Sequence, residues 1–208
     1  MVEGISAGQL IRVVADFEEI CRKNKCLLPK DGVQKVLDNE RTELVIDMFN
    51  LFRARVESQM KMISRVVMVN RVRTPQDALN ATGRVQHVNR EVVDSMPVAE
   101  GNKVEVVFFK PESWEYTKPG EMSHNDIEKI LDNHGLKFAD PISVAAVNEV
   151  DPTFGNKYPN GTQWKDSDGK WCVAKFGMHT EDFRDALQVH RGDEGWMACW
   201  WFACIRKK

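Results

Sequence analysis

Trp196-Met197-Ala198-Cys199-Trp200-Trp201-Phe202-Ala203-Cys204-Ile205 is the longest apolar run in the chain, and its reading decides how the C-terminal half folds. Ten residues are too few for a membrane-spanning helix, which needs about 18 or more apolar residues, but they suit a buried strand. In a strand, side chains alternate between faces. Trp196, Ala198, Trp200, Phe202 and Cys204 then share one face, and Met197, Cys199, Trp201, Ala203 and Ile205 the other. Neither face carries a charge, which predicts a central strand covered on both sides. Gly192 and Gly195 permit a sharp entry, and Arg206-Lys207-Lys208 marks the return to water.

Working outward, Arg191-Gly192-Asp193-Glu194-Gly195 reads as a turn joining this run to Leu187-Gln188-Val189. Asp166-Ser167-Asp168-Gly169 reads as a second turn, between Gln163-Trp164 and Trp171-Cys172-Val173. Two helices precede them. Ser123-His124-Asn125-Asp126 caps one carrying Ile127, Ile130 and Leu131, stopped by Gly135. Asp140-Pro141 opens the other, with Ile142, Ala145, Val147 and Val150, and Pro152 ends it. Pro111, Pro119 and Gly120 mark a boundary, so the chain is expected to divide into 1–110 and 111–208.

The N-terminal half begins with helices. Ser6-Ala7-Gly8-Gln9 has the form of a capping box, and Leu10, Val13, Val14, Phe17, Ile20 and Cys21 recur at helical spacing over residues 7–24. After Pro29-Lys30-Asp31-Gly32 comes a short helix with Val33, Val36 and Leu37, then a longer one over 42–59 striped by Val45, Met48, Phe49, Phe52 and Val56. Such stripes need cover, from the rest of the chain or from a second copy. Self-association through these helices is therefore one expectation. Loss of stability on truncation before Met60 is another.

The period changes at Met60. Met60, Met62, Val66, Met68 and Val72 alternate with Lys61, Arg65 and Arg71, which reads as a strand with the first set inward and Ile63, Val67 and Val69 partly covered. Thr74-Pro75 starts a short helix with Asp77 in its first turn, and Gly83 ends it. Val85–Val88 and Lys103–Lys110 are further strands. The expected class is α+β: a helical N-terminal segment, a small strand–helix–strand portion, and a C-terminal helix pair with antiparallel hairpins.

The 208 residues hold 29 basic and 31 acidic side chains and 42% hydrophobic residues, a balance that excludes both a disordered chain and a polycationic DNA condenser. There is no apolar stretch long enough to span a membrane, and Met1-Val2-Glu3-Gly4 lacks the basic-then-apolar layout of a secretion signal. Five cysteines without a C-x-x-C pair point to a reducing, cytoplasmic setting, where Asn160-Gly161-Thr162 is a turn rather than a glycosylation site.

Phosphate-binding glycine loops, a serine nucleophile elbow and the H-E-x-x-H zinc pair are all missing. Cys172, His179, His190, Cys199 and Cys204 match no zinc spacing, so no metal or cofactor is expected. Asp166 and Asp168 resemble part of a calcium loop, but Trp164 stands where a ligand is needed. His124, Asp126, His134 and Glu149 could serve acid–base chemistry, with no nucleophile beside them.

Two surfaces remain. Arg53, Arg55, Lys61, Arg65, Arg71, Arg73, Arg84 and Arg90 form a basic segment that could meet phosphates, and Arg65, Arg71, Arg73 and Arg84 should then share one exposed face. The alternative is an ordinary solvated face. Five of six tryptophans lie between Trp164 and Trp201, suited to a core or to a protein-binding surface.

Two stretches, Arg73-Thr74-Pro75-Gln76-Asp77-Ala78-Leu79-Asn80-Ala81-Thr82-Gly83-Arg84 and Asn160-Gly161-Thr162-Gln163-Trp164-Lys165-Asp166-Ser167-Asp168-Gly169-Lys170-Trp171, together with Trp200-Trp201-Phe202, resemble segments of uncharacterised proteins encoded by bacteria and their phages. The resemblance spans residues 73–205, implies a bacterial or viral origin, and carries no activity or site. The reading favoured from sequence is a non-enzymatic, protein-binding accessory protein. Nucleic-acid binding through residues 53–90 and a small hydrolase-type enzyme in the C-terminal half are the alternatives.

Overall fold

The computed structural model of the chain describes residues 5–57, 59–116, 120–178, 185–192 and 195–207. Two compact units emerge, dividing between Ser58 and Gln59.

The first unit is helical. Helix α1 (Ala7–Lys23) starts at the expected capping box: Ser6 Oγ accepts from the Gln9 amide and Gln9 Oε1 accepts from the Ser6 amide. Helices α2 (Lys30–Asn39) and α3 (Arg41–Glu57) follow. No apolar side chain of these three helices is buried.

The second unit is α+β. Its elements are β1 (Met62–Met68), α4 (Pro75–Asn80), β2 (Val85–Val88), α5 (Arg90–Asp94), β3 (Lys103–Phe109), β4 (Glu121–Met122), α6 (His124–Asn133), β5 (Leu136–Phe138), α7 (Pro141–Val150), α8 (Phe154–Lys157), β6 (Asn160–Lys165), β7 (Trp171–Met178), β8 (Asp185–Arg191), β9 (Trp196–Met197) and β10 (Trp201–Arg206). One mixed sheet runs β1-β3-β10-β6-β7-β8-β2, with β5 also pairing β10, and β4 pairs β9 separately. The helix starts follow the capping read from sequence. Thr74 accepts from the Asp77 amide, Ser123 from that of Asp126, and Asp140 from that of Ser143.

Alternation along each strand sorts the core into two layers. Ala203, Val106 and Phe108 pack on one face with α7 residues such as Val144 and Val147 and with Phe154 of α8. Phe202, Cys204, Val107 and Phe109 pack on the other with Ile127 and Leu131 of α6 and with Trp196. Because β3 pairs with both β1 and β10, the sheet crosses the division expected at 110/111. Pro111 therefore ends a strand rather than a domain, and Pro119 lies outside the described residues. Neither core layer contains a residue before Met62, so the second unit carries its whole core itself.

Three further expectations changed. The Trp196–Ile205 run is broken by a turn after Met197, where the Trp200 amide donates to the Met197 carbonyl. Its second half is the central strand expected, buried on both faces, but it runs parallel to β6 rather than in a hairpin with β8. The antiparallel hairpins are instead β6–β7, around the Asp166–Gly169 turn, and β7–β8. The expected turn at 191–195 includes Asp193 and Glu194, which lie outside the described residues.

The faces of β1 are reversed. Ile63, Val67 and Val69 are buried, while Val66, Met68 and Val72 are exposed. Ile63, Val67 and Val69 pack on the α7 side, while Val66 and Met68 take the solvated side of this edge strand.

Candidate functional site

The reversal of β1 decides the fate of the basic segment. Arg65 travels inward with Ile63 and Val67, and its guanidinium lies 4.8 Å from the centre of the Phe154 ring. Arg71 reaches α7: its Nη1 donates to Asp140 Oδ1 at 2.6 Å and its Nη2 to Ser143 Oγ at 2.8 Å. Arg73 pairs with Glu149 on the same helix at 2.6 Å. Arg84 is only 6% exposed. It donates to the carbonyls of Pro152 and Gly177 and to Asn156 Oδ1, and burial pulls its pKa down against the nearby Asp185. Clustered charge in sequence thus becomes a set of contacts within the second unit, with Arg84 buried and Arg65, Arg71 and Arg73 partly exposed. They tie β1, the loop after it and the start of β2 to α7, α8 and β7, and do not form an exposed strip.

The acid–base candidates are likewise dispersed. His124 is 5% exposed, in the first turn of α6. Its Nδ1–H donates to Gln163 Oε1 at 2.6 Å, the same oxygen that accepts from Trp196 Nε1 at 2.7 Å. Gln163 Nε2 returns a bond to the His124 carbonyl at 2.9 Å. That circuit sets the proton on Nδ1 and locks α6, β6 and β9 together. His134 instead meets Glu115, and Glu149 lies across the sheet, bound to Arg73. Among the described residues no group of three His, Cys, Asp or Glu could hold a metal, and His179 lies outside them.

The tryptophans are mostly structural. Trp196 lies so close to β6 that a Cβ on Gly161 would sit 2.7 Å from its ring, and a Cβ on Gly195 would sit 2.2 Å from the Met122 carbonyl oxygen. Only glycine allows these approaches. One concavity opens beside them, a cavity of about 450 Å³ lined by Glu121, Lys175, Gly195, Trp196, Met197 and Trp200. Lys175 Nζ lies 5.0 Å from the Trp196 ring centre and 5.7 Å from that of Trp200, so the protein's own cation occupies the aromatic faces.

The feature that a folded chain does not ordinarily leave uncovered is in the first unit. On α1, Leu10, Val13, Val14, Phe17 and Ile20 are exposed along one face. On α3, Leu44, Val45, Ile46, Met48, Phe49, Leu51, Phe52 and Val56 are exposed, with Phe49 at 60% and Leu51 at 70%. The periodicity of α1 was legible in sequence. On α3 the apolar residues reach beyond the single stripe expected, over more than half of the circumference, and leave Glu43, Asp47, Asn50 and Glu57 on a polar strip.

No protein-family model matches the chain, and neither a curated protein nor a solved structure is similar to it. Among the described residues no helix is long and apolar enough to cross a membrane.

Proposed function

We propose that the protein works by protein–protein contact, as a non-enzymatic accessory protein of bacterial or phage origin, and that α1 and α3 are its contact surface. The carrying observation is the uncovered apolar surface of the first unit. Monomeric soluble proteins rarely expose contiguous apolar patches of more than a few hundred Å², and larger ones mark interaction sites. The five free cysteines support a reducing, cytoplasmic setting. Neither alternative gains an observation of its own: Arg71, Arg73 and Arg84 are engaged with acceptors of the second unit, and among the described residues His124, His134 and Glu149 are not gathered at one place.

A photo-crosslinking amino acid at position 14 or 49, compared with position 86 on β2, tests this in cells. Protein adducts are expected from 14 and 49 and not from 86. Adducts to nucleic acid, or protein adducts from 86 alone, would move the function to the second unit.

A further inference from the structure

We infer that the first occupant of the α1 and α3 surfaces is a second copy of this chain, so that the N-terminal helices assemble into an intermolecular helical bundle. The inference rests on the reading that these helices are the contact surface.

Three observations single out a second copy. The first is the lack of a core. Residues 5–57 form three helices with no buried apolar side chain. A segment of this size without disulfide or metal lacks the burial to hold its helices by itself, and oligomerisation is one way to supply it. The cover must therefore come from outside these three helices, and a second copy offers the same apolar faces in matching length.

The second is the distribution on α3. A helix apolar over more than half of its circumference, as α3 is, offers more face than one neighbouring helix covers. A single partner helix covers one side. Two copies of a three-helix unit bring six helices together, enough to surround both α3 helices. At a rise of about 1.5 Å per residue, the 17 residues of α1 and of α3 each give an apolar face of roughly 25 Å. Two such faces per chain are on the scale of a stable interface, about 800 Å² from each partner.

The third is charge. Residues 5–58 contain nine basic and nine acidic side chains, interspersed along the helices. A surface built for a nucleic acid or for a strongly charged protein would carry an excess of one sign. A balanced surface meets its own copy without repulsion, and a twofold axis makes one patch self-complementary.

The test uses the full chain. Sedimentation velocity at micromolar concentration should give at least twice the 23.8 kDa of one chain. Phe17→Asp combined with Phe49→Asp should return it to one chain mass, with the melting transition of the second unit unmoved. A mixture of isotopically light and heavy full chains, each with the crosslinker at position 49 and no other change, should yield mixed light–heavy adducts. That arm reads the contact without disturbing the helices. A monomeric wild type giving no mixed adducts overturns the inference. If the adducts at 14 and 49 then carry a different protein, the contact-surface reading stands and only the occupant is wrong. If those positions give no protein adduct at all, both fall.

Discussion

Residues 5–57 are at least as rich in apolar side chains as residues 59–207, yet the two place them in opposite ways. In the second unit alternate residues of one sheet feed two core layers, and Phe108, Phe176, Phe202 and Trp196 are all sealed from solvent. In the first unit Phe17, Phe49 and Phe52 remain in water. Amphipathic pattern, clean in α1 and in the strands, says that a face seeks cover without saying where the cover comes from. A strand finds it in its own chain when neighbours of matching alternation exist. Three short helices have no such neighbours.

The sharpest way to break this comparison is one exchange made in both places. Phe108→Ala should cost about 3–5 kcal/mol, a large share of a domain's stability, and lower the midpoint of urea unfolding accordingly. Phe49→Ala should leave that midpoint unchanged and weaken only association. Equal losses at both positions would show that the first unit shares the core of the second.

Next comes the clamp between β1 and α7. Arg71→Met leaves the Asp140 carboxylate, 9% exposed, without its cation. The expected loss is about 3–5 kcal/mol, because a buried charge is left uncompensated. If Arg71→Met instead left stability intact but abolished salt-sensitive retention on nucleic acid, the arginine would belong to a binding surface.

Removal of the first unit should do less. Since neither core layer includes a residue before Met62, a 59–208 fragment should fold with near-native near-ultraviolet circular dichroism and melting temperature. This reverses the expectation drawn from the α3 stripe alone. An aggregating fragment would restore it.

The smallest effect concerns the β6–β7 turn. Arg191 Nε donates to Asp166 Oδ2 at 2.9 Å, and this bond, aided by the Lys170 and Asp168 amides, holds the Asp166 pKa below the ordinary carboxylate value. A lowered folded-state pKa adds stability that is full above the unfolded value, about 3.9, and is lost as pH falls through the folded one. Stability measured from neutral pH into acid should fall less steeply in Asp166→Asn than in wild type, at the price of a slightly weaker protein at neutral pH. Parallel curves would sever the Asp166–Arg191 link.

Much of the fold was legible because its signals are local. Capping at Ser6, Thr74, Ser123 and Asp140 depends on a side chain and an amide a few residues away. The Asp166–Gly169 turn needs only its own residues. The β1 faces were misread because methionine and valine compete for the inner side by packing against α7, more than seventy residues downstream. The pairing of Trp201–Arg206 with β3 and β6 was hidden for the same reason. No residue inside the run distinguishes a hairpin from a parallel insertion. The arginines show the limit most plainly: Arg71, Arg73 and Arg84 look like part of a phosphate-binding row until their acceptors at Asp140, Glu149 and Pro152 come within reach.

The central place of β10 has a consequence for the order of events during synthesis. At typical elongation rates of about 5–20 residues per second, roughly ten seconds separate the appearance of β1 from that of β10. Through that interval β1 and β3 can pair as an antiparallel ribbon, while the other edge of β3, with Val107, Phe108 and Phe109, has no neighbour. The second unit is thus a nascent chain with an open, apolar strand edge until Trp201–Arg206 has been made, and a ribosome stalled before Trp201 holds a chain that cannot close its sheet.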